Sequence, residues 1–99
     1  MAGGEGTRLR PLTCNIPKPM VPILNKPFLE HMLGHLRGHG VGSAVLTVCY
    51  LPDIIEAYFG RGEHTGMEIS YVLEETPLGT AGAVKNVEKD LNDTFFVLN

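Results

Sequence analysis

Along the chain, apolar positions fall into short blocks of two periods. Phe28, Leu29, Met32, Leu33 and Leu36 recur at the three- and four-residue spacing of a one-sided helix, opened by Pro27 and stopped by Gly38 and Gly40. Ser43 to Tyr50 is β-branched and nearly all apolar, the pattern of a strand covered on both faces. Pro52 and Asp53 open a short helix expected to turn Ile54, Ile55, Tyr58 and Phe59 inward and to end at Gly60. After a polar loop through Gly66, the pattern predicts a strand over Met67–Leu73. Thr80 is then expected to cap a third helix carrying Ala81, Val84, Val87 and Leu91, and Thr94–Asn99 reads as a last strand.

Strands alternating with helices of this length imply βαβ units, whose right-handed crossovers give a parallel sheet with helices packed on it. The fold class is therefore α/β. In such sheets ligands sit beyond the carboxyl ends of the strands. The N-terminal glycines and the last residue are both expected at that edge. The first 27 residues are different in kind: Gly3, Gly4 and Gly6 are followed by Pro11, Pro17, Pro19, Pro22 and Pro27. That density excludes a long helix or a central strand and predicts a long, stiffened loop, and long ordered loops are usually functional.

Gly3-Gly4-Glu5-Gly6-Thr7-Arg8 places three glycines, a hydroxyl and an arginine in six residues. Glycines let backbone amides turn and approach an anion closely, and a guanidinium adds a planar fork matched to phosphate. A P-loop would need Gly-Lys-Ser/Thr, which is missing, and the dinucleotide fingerprint would need glycine where Leu9 stands. Taken alone, the segment reads equally well as a glycine turn with Arg8 at the surface. Lys18, held between Pro17 and Pro19, has little backbone freedom, which suits a cation that must meet charge without reorganising; Lys26 reads better as a solvated loop lysine.

Composition narrows the partners. The 99 residues are 43% hydrophobic and 19% charged, enough apolar surface to order one domain at most. A net charge of −3 leaves no basic footprint, so no nucleic-acid partner is expected. Neither a secretory signal nor a membrane-spanning apolar run is expected, and two unrelated cysteines, Cys14 and Cys49, suit a reducing cytoplasm. His31, His35 and His39 fall at helical spacing, but with only Glu30 beside them they read as a polar helix flank rather than a metal site.

Gly3 to Thr13 (Gly-Gly-Glu-Gly-Thr-Arg-Leu-Arg-Pro-Leu-Thr) followed by Pro17-Lys18-Pro19-Met20 resembles the signature of the nucleoside-diphosphate-sugar pyrophosphorylases. With the βαβ order, the resemblance extends over effectively the whole chain. It implies a Rossmann-like nucleotidyltransferase fold and an enzyme that joins a sugar 1-phosphate to a nucleoside triphosphate, releasing pyrophosphate. By resemblance, Gly3, Gly4, Gly6 and Thr7 would wrap the triphosphate, Arg8 would stabilise the departing pyrophosphate, and Lys18 would meet the phosphates at the reacting centre. Ala2 and Gly3 would lie beside ribose and base, and Mg²⁺ would bridge phosphates. Glu74 to Gly82 (Glu-Glu-Thr-Pro-Leu-Gly-Thr-Ala-Gly) resembles the family's base-recognition loop, with Gly79 and Thr80 at the start of a helix. An ionised carboxylate only accepts hydrogen bonds, so Glu74 or Glu75 would favour guanine, whose N1–H and N2 amino group are adjacent donors. The segment is similar to mannose-1-phosphate guanylyltransferases, pointing to GTP and mannose 1-phosphate, with glucose and thymine, uracil or adenine as alternatives.

The same resemblance implies departures. Relatives of this kind carry a buried strand before the glycine loop and continue past the last strand into a Gly-Asp pair that binds the metal. Residues 1–99 are accordingly expected to form the N-terminal part of a single nucleotidyltransferase domain, lacking the first strand, the sugar-binding half and the metal carboxylates. Such a chain is expected to be catalytically incomplete by itself, with exposed apolar edges that favour pairing between chains. Its parent is expected to be a cytoplasmic enzyme open to homo-oligomeric assembly, with a non-catalytic nucleotide-binding or regulatory module as the alternative.

Overall fold

The structure, a computed structural model, describes residues 1–99. Its centre is a pair of parallel strands, β3 (Ser43–Val48) and β4 (Glu68–Leu73), in register from Ser43 opposite Glu68 to Val48 opposite Leu73. Before it come β1 (Pro22–Ile23), β2 (Lys26–Pro27) and α1 (Phe28–Gly38); α2 (Pro52–Phe59) links the two central strands, and α3 (Gly79–Asn86) follows β4. The order and the parallel pairing are those expected for an α/β chain with βαβ units.

The core lies on one face of this pair. Leu29 and Leu33 of α1, Leu46 and Val48 of β3, Ile55 and Phe59 of α2, and Ile69 of β4 are buried together with Ala2, Met20 and Met67. Alternate strand residues share a face, which is why Leu46 and Val48 enter this cluster while Thr47 does not. α2 begins with Pro52 at its first turn, where a missing N–H costs nothing, and ends at Gly60, whose φ of 54° suits glycine.

Several expectations need correction. The stiffened loop expected over the first 27 residues carries more local structure than its proline content implies. It forms 3₁₀ turns at Thr7–Leu9 and Lys18–Met20 and a small antiparallel hairpin, β1–β2, turned by Leu24 and Asn25, both at positive φ. In α2 only Ile55 and Phe59 are buried; Ile54 and Tyr58 face outward because one-sided burial of a two-turn helix admits a single i, i+4 pair. Thr80 does not cap α3. Leu78 occupies the cap, its own side chain makes no capping bond, and Thr80 is an exposed first-turn residue. The buried face of α3 is Ala83 with Val87 rather than Ala81, and Leu91 lies beyond a terminal 3₁₀ turn at Glu88–Asp90.

The largest difference is at the C-terminus. Thr94–Asn99 forms no strand. A strand needs a neighbouring backbone, and between this segment and β3 lies a groove of about 830 Å³ walled by Phe28, Met32 and Leu36 of α1, β3, and Phe95 to Leu98. The one backbone partner found near the end is Met1, whose ammonium donates to Leu98 O at 2.8 Å. β3 therefore has one edge paired with β4 and one open edge, on which Ala2 N–H donates to Thr47 O at 2.8 Å.

Candidate functional site

The glycine loop begins where β3 ends. A Cβ on Gly3 would lie 3.1 Å from the Cβ of Cys49, so the missing side chain lets the loop seat closely on the strand end. Gly6 has φ 62° and ψ 37°, a left-handed conformation that a side chain disfavours. Its carbonyl accepts Leu9 N–H at 3.0 Å and the Thr13 hydroxyl at 2.6 Å. Between these anchors, the backbone amides from Gly3 through Arg8 donate to nothing within the protein. A Cβ at Gly4 would meet no atom within 4 Å, so the backbone there is open to an approaching group.

The cations stand at the same place. Lys18 starts the 3₁₀ turn that follows the buried Pro17, and its Cβ is 3.1 Å from where a Cβ on Gly6 would be. Arg8 is exposed on the loop's own 3₁₀ turn. Neither is paired with a carboxylate, whereas Arg10 is bound to Glu5 at 3.5 Å. Gly4, Gly6, Arg8 and Lys18 all line the groove. Unpartnered amides beside two free cations suit an anion with several oxygens, and phosphate is the common one.

The second expected segment meets the first at the same strand end. Glu74 N–H donates to Val48 O at 2.7 Å, one step beyond the ladder, and Gly3 packs against Val48 and Cys49. The Glu74 side chain is buried, and its Oε2 accepts the Leu78 N–H at 3.4 Å, at the long end of hydrogen-bond range. A carboxylate at the start of α3 also faces the positive end of the helix dipole. Burial lowers the Met1 ammonium from its ordinary value, and Glu74 acts on it in the opposite direction. Gly79 has φ 71° with nothing within 4 Å of a built Cβ, so conformation rather than crowding selects glycine there. Thr80 and Glu75 are exposed beside it.

Ala2, Gly3, Gly4, Gly6, Thr7, Arg8 and Lys18 thus form one cluster, with Glu74 on the adjoining loop and Gly79 and Thr80 at the start of α3. The sequence reading gave no role to Tyr50, whose phenol donates to Thr13 O at 3.0 Å and reaches Cys14 O at 3.2 Å. Its one sequence signal is its place just past β3. No three or more His, Cys, Asp or Glu side chains converge to hold a metal ion.

The whole chain, residues 1–99, matches the sequence profile described as Nucleotidyl transferase. It is 48% identical over 100 residues to a mannose-1-phosphate guanylyltransferase of Mycobacterium tuberculosis, covering 100% of this chain and 28% of that protein. It is 42% identical over 99 residues to a D-glycero-alpha-D-manno-heptose 1-phosphate guanylyltransferase of Campylobacter jejuni, covering 100% of this chain and 44% of that protein. Among solved structures, HddC from Yersinia pseudotuberculosis complexed with GMP-PN superposes with a TM-score of 0.79 at 39% identity, over 91% of this chain and 40% of that one. The chain thus spans less than half the length of these relatives. Over the length it has, sequence and fold agree, and the chain belongs to the nucleotidyl transferase family.

Proposed function

We propose that this chain is the triphosphate-binding part of an enzyme that joins a sugar 1-phosphate to a nucleoside triphosphate and releases pyrophosphate, with GTP and mannose 1-phosphate as its substrates. One observation carries the proposal: the unpartnered amides from Gly3 to Arg8 lie beside two cations, Arg8 and Lys18, that no carboxylate neutralises. Phosphoryl chemistry asks the protein chiefly for positioning and charge stabilisation, and these groups supply both. Gly3, Gly4, Gly6 and Thr7 cradle the phosphates, Arg8 steadies the leaving pyrophosphate, and Lys18 meets the charge at the α-phosphorus. Ala2 and Gly3 lie along ribose and base.

The lean to guanine rests on Glu74 and on the guanylyltransferase names of two relatives. With Oε2 turned to Leu78 N–H, Oε1 has no partner in the protein and can accept from a base donor beside Gly79 and Thr80. The residues of this chain do not build a metal site. In our reading magnesium arrives on the triphosphate and its carboxylate ligands come from elsewhere in the parent protein.

We read residues 1–99 as the N-terminal part of one nucleotidyltransferase domain, with the open edge of β3 as the position of a strand ahead of the glycine loop. No helix is long and apolar enough to cross a membrane. Both cysteines are free thiols, which suits a cytoplasmic parent.

The test compares this chain with a version extended at both ends, measuring GTP, UTP and dTTP binding and pyrophosphate release with mannose and glucose 1-phosphates. GTP binding by the chain, with turnover confined to the extended protein and best with GTP and mannose 1-phosphate, is expected. Binding without turnover in the extended protein would favour a regulatory nucleotide-binding module instead.

A further inference from the structure

We infer that Tyr50 and Thr13 are positioning residues that hold the glycine loop in its anion-receiving shape; the inference rests on reading that loop as a triphosphate site. The Thr13 side chain is fully buried and its hydroxyl donates to Gly6 O at 2.6 Å. Because a trans peptide is planar with its C=O and N–H on opposite sides, pinning the Gly6 carbonyl inward aims the next amide, Thr7 N–H, the other way. Thr7 N–H is one of the loop amides that donate to nothing within the protein.

Thr13 is itself held. The Tyr50 phenol shares its proton between Thr13 O at 3.0 Å and Cys14 O at 3.2 Å. Tyr50 follows β3 by two residues, so this bond ties the loop's far end to the rigid sheet, while Gly3 seats its near end on Cys49. Between the two anchors, Gly3 to Cys14 bonds only within itself, through successive turns at Leu9, Arg10, Leu12 and Cys14. Removing the phenol detaches the loop from the strand that orients it and leaves those turns without that support, so they open more often. The group acts through backbone geometry and touches no substrate.

Two measurements on the 99-residue chain test this. Tyr50→Phe keeps the ring and deletes the donor; Thr13→Val keeps the shape and deletes the hydroxyl; Thr13→Ser keeps the hydroxyl. Amide exchange at Leu9 and Leu12, normalised to the β3–β4 amides, is expected to rise about fivefold in Tyr50→Phe and Thr13→Val and to stay near wild type in Thr13→Ser. The ratio of GTP to GMP affinity is expected to fall by a similar factor in the first two variants, since only the triphosphate uses the loop in full. Unchanged exchange in both variants, or a uniform rise across all amides, overturns the inference. Wild-type chain that fails to bind GTP counts against the triphosphate reading, and exchange still decides the positioning role.

Discussion

Gly6 and Lys18 pack so closely that a Cβ on the glycine would lie 3.1 Å from the Cβ of the lysine, and 2.9 Å from Cγ2 of Thr13. The glycine loop and the proline-flanked lysine are therefore one packed unit rather than two motifs near each other. Gly6→Ala must both strain a left-handed residue and displace a neighbour, a loss of about 2 kcal/mol in urea unfolding. Gly4→Ala meets no protein atom, so its stability is expected to stay within about 0.5 kcal/mol of wild type while GTP affinity falls. Loss of affinity without loss of stability at Gly4 is the signature of a backbone approached by ligand. Equal, unchanged affinity in both variants would remove the loop from the binding site.

Arg8 and Arg10 offer an internal control. Arg8 is free, and Arg10 is bound to Glu5 across the loop. Arg8→Ala is expected to weaken GTP binding about tenfold and to flatten its dependence on salt, because a charge-assisted contact to phosphate is removed. Arg10→Ala is expected to change affinity by less than about twofold, since exposed ion pairs contribute little. Isothermal titration at low and high salt separates the two. Equal losses would point to diffuse attraction rather than a placed guanidinium.

How much of this was legible in the sequence depends on where each signal lives. The pairing of β3 with β4 follows from two apolar runs joined by a helix, and glycine at 6 and 79 follows from local backbone need. These are short-range signals. The orientation of Ile54 and Tyr58 was not legible, because four adjacent apolar positions do not say which pair the core selects. The failure at Thr94–Asn99 has another cause: Thr-Phe-Phe-Val-Leu-Asn has every strand propensity, yet a strand is made by its neighbour, and the groove puts none there. Tyr50 was invisible for a similar reason, since its two acceptors are more than thirty residues away in the chain.

Tyr71 gives a pH test of the sheet's link to the end of α2. Its hydroxyl donates to Gly60 O at 2.7 Å, and desolvation, then the charges of Glu56 and Glu63, raise its pKa. Below the ordinary tyrosine value near 10, folded and unfolded chains both hold the proton and the contribution to stability is complete. Above it the unfolded chain ionises first, so stability falls as pH climbs toward the raised folded value. Thermal unfolding from pH 8 to 11 is expected to show this decline in wild type and a shallower one in Tyr71→Phe. Parallel profiles would mean the phenol contributes nothing.

The open edge of β3 makes the strongest prediction about stability. Ala2 bonds Thr47 and Gly3 lies against Cys49, so the chain enters the loop running in the same direction as β3. Residues placed ahead of Met1 would continue backward along Leu46, Val45 and Ala44, between that edge and Phe95–Leu98. The walls there are apolar on both sides, and the Thr47 hydroxyl is buried without a partner. A strand in this slot would give Thr94–Asn99 the backbone neighbour it lacks and cover side chains that now face solvent. Adding about five β-branched apolar residues before Met1 should therefore raise the unfolding free energy by about 1–5 kcal/mol, the burial gain less the ordering entropy. Self-association, measured by sedimentation, should fall as the apolar edge is covered. The control is the same extension with proline at alternate positions, which cannot join a ladder and should leave both quantities unchanged. If the two extensions behave alike, the groove does not receive a strand, and the absence of regular structure at Thr94–Asn99 must come from the segment itself.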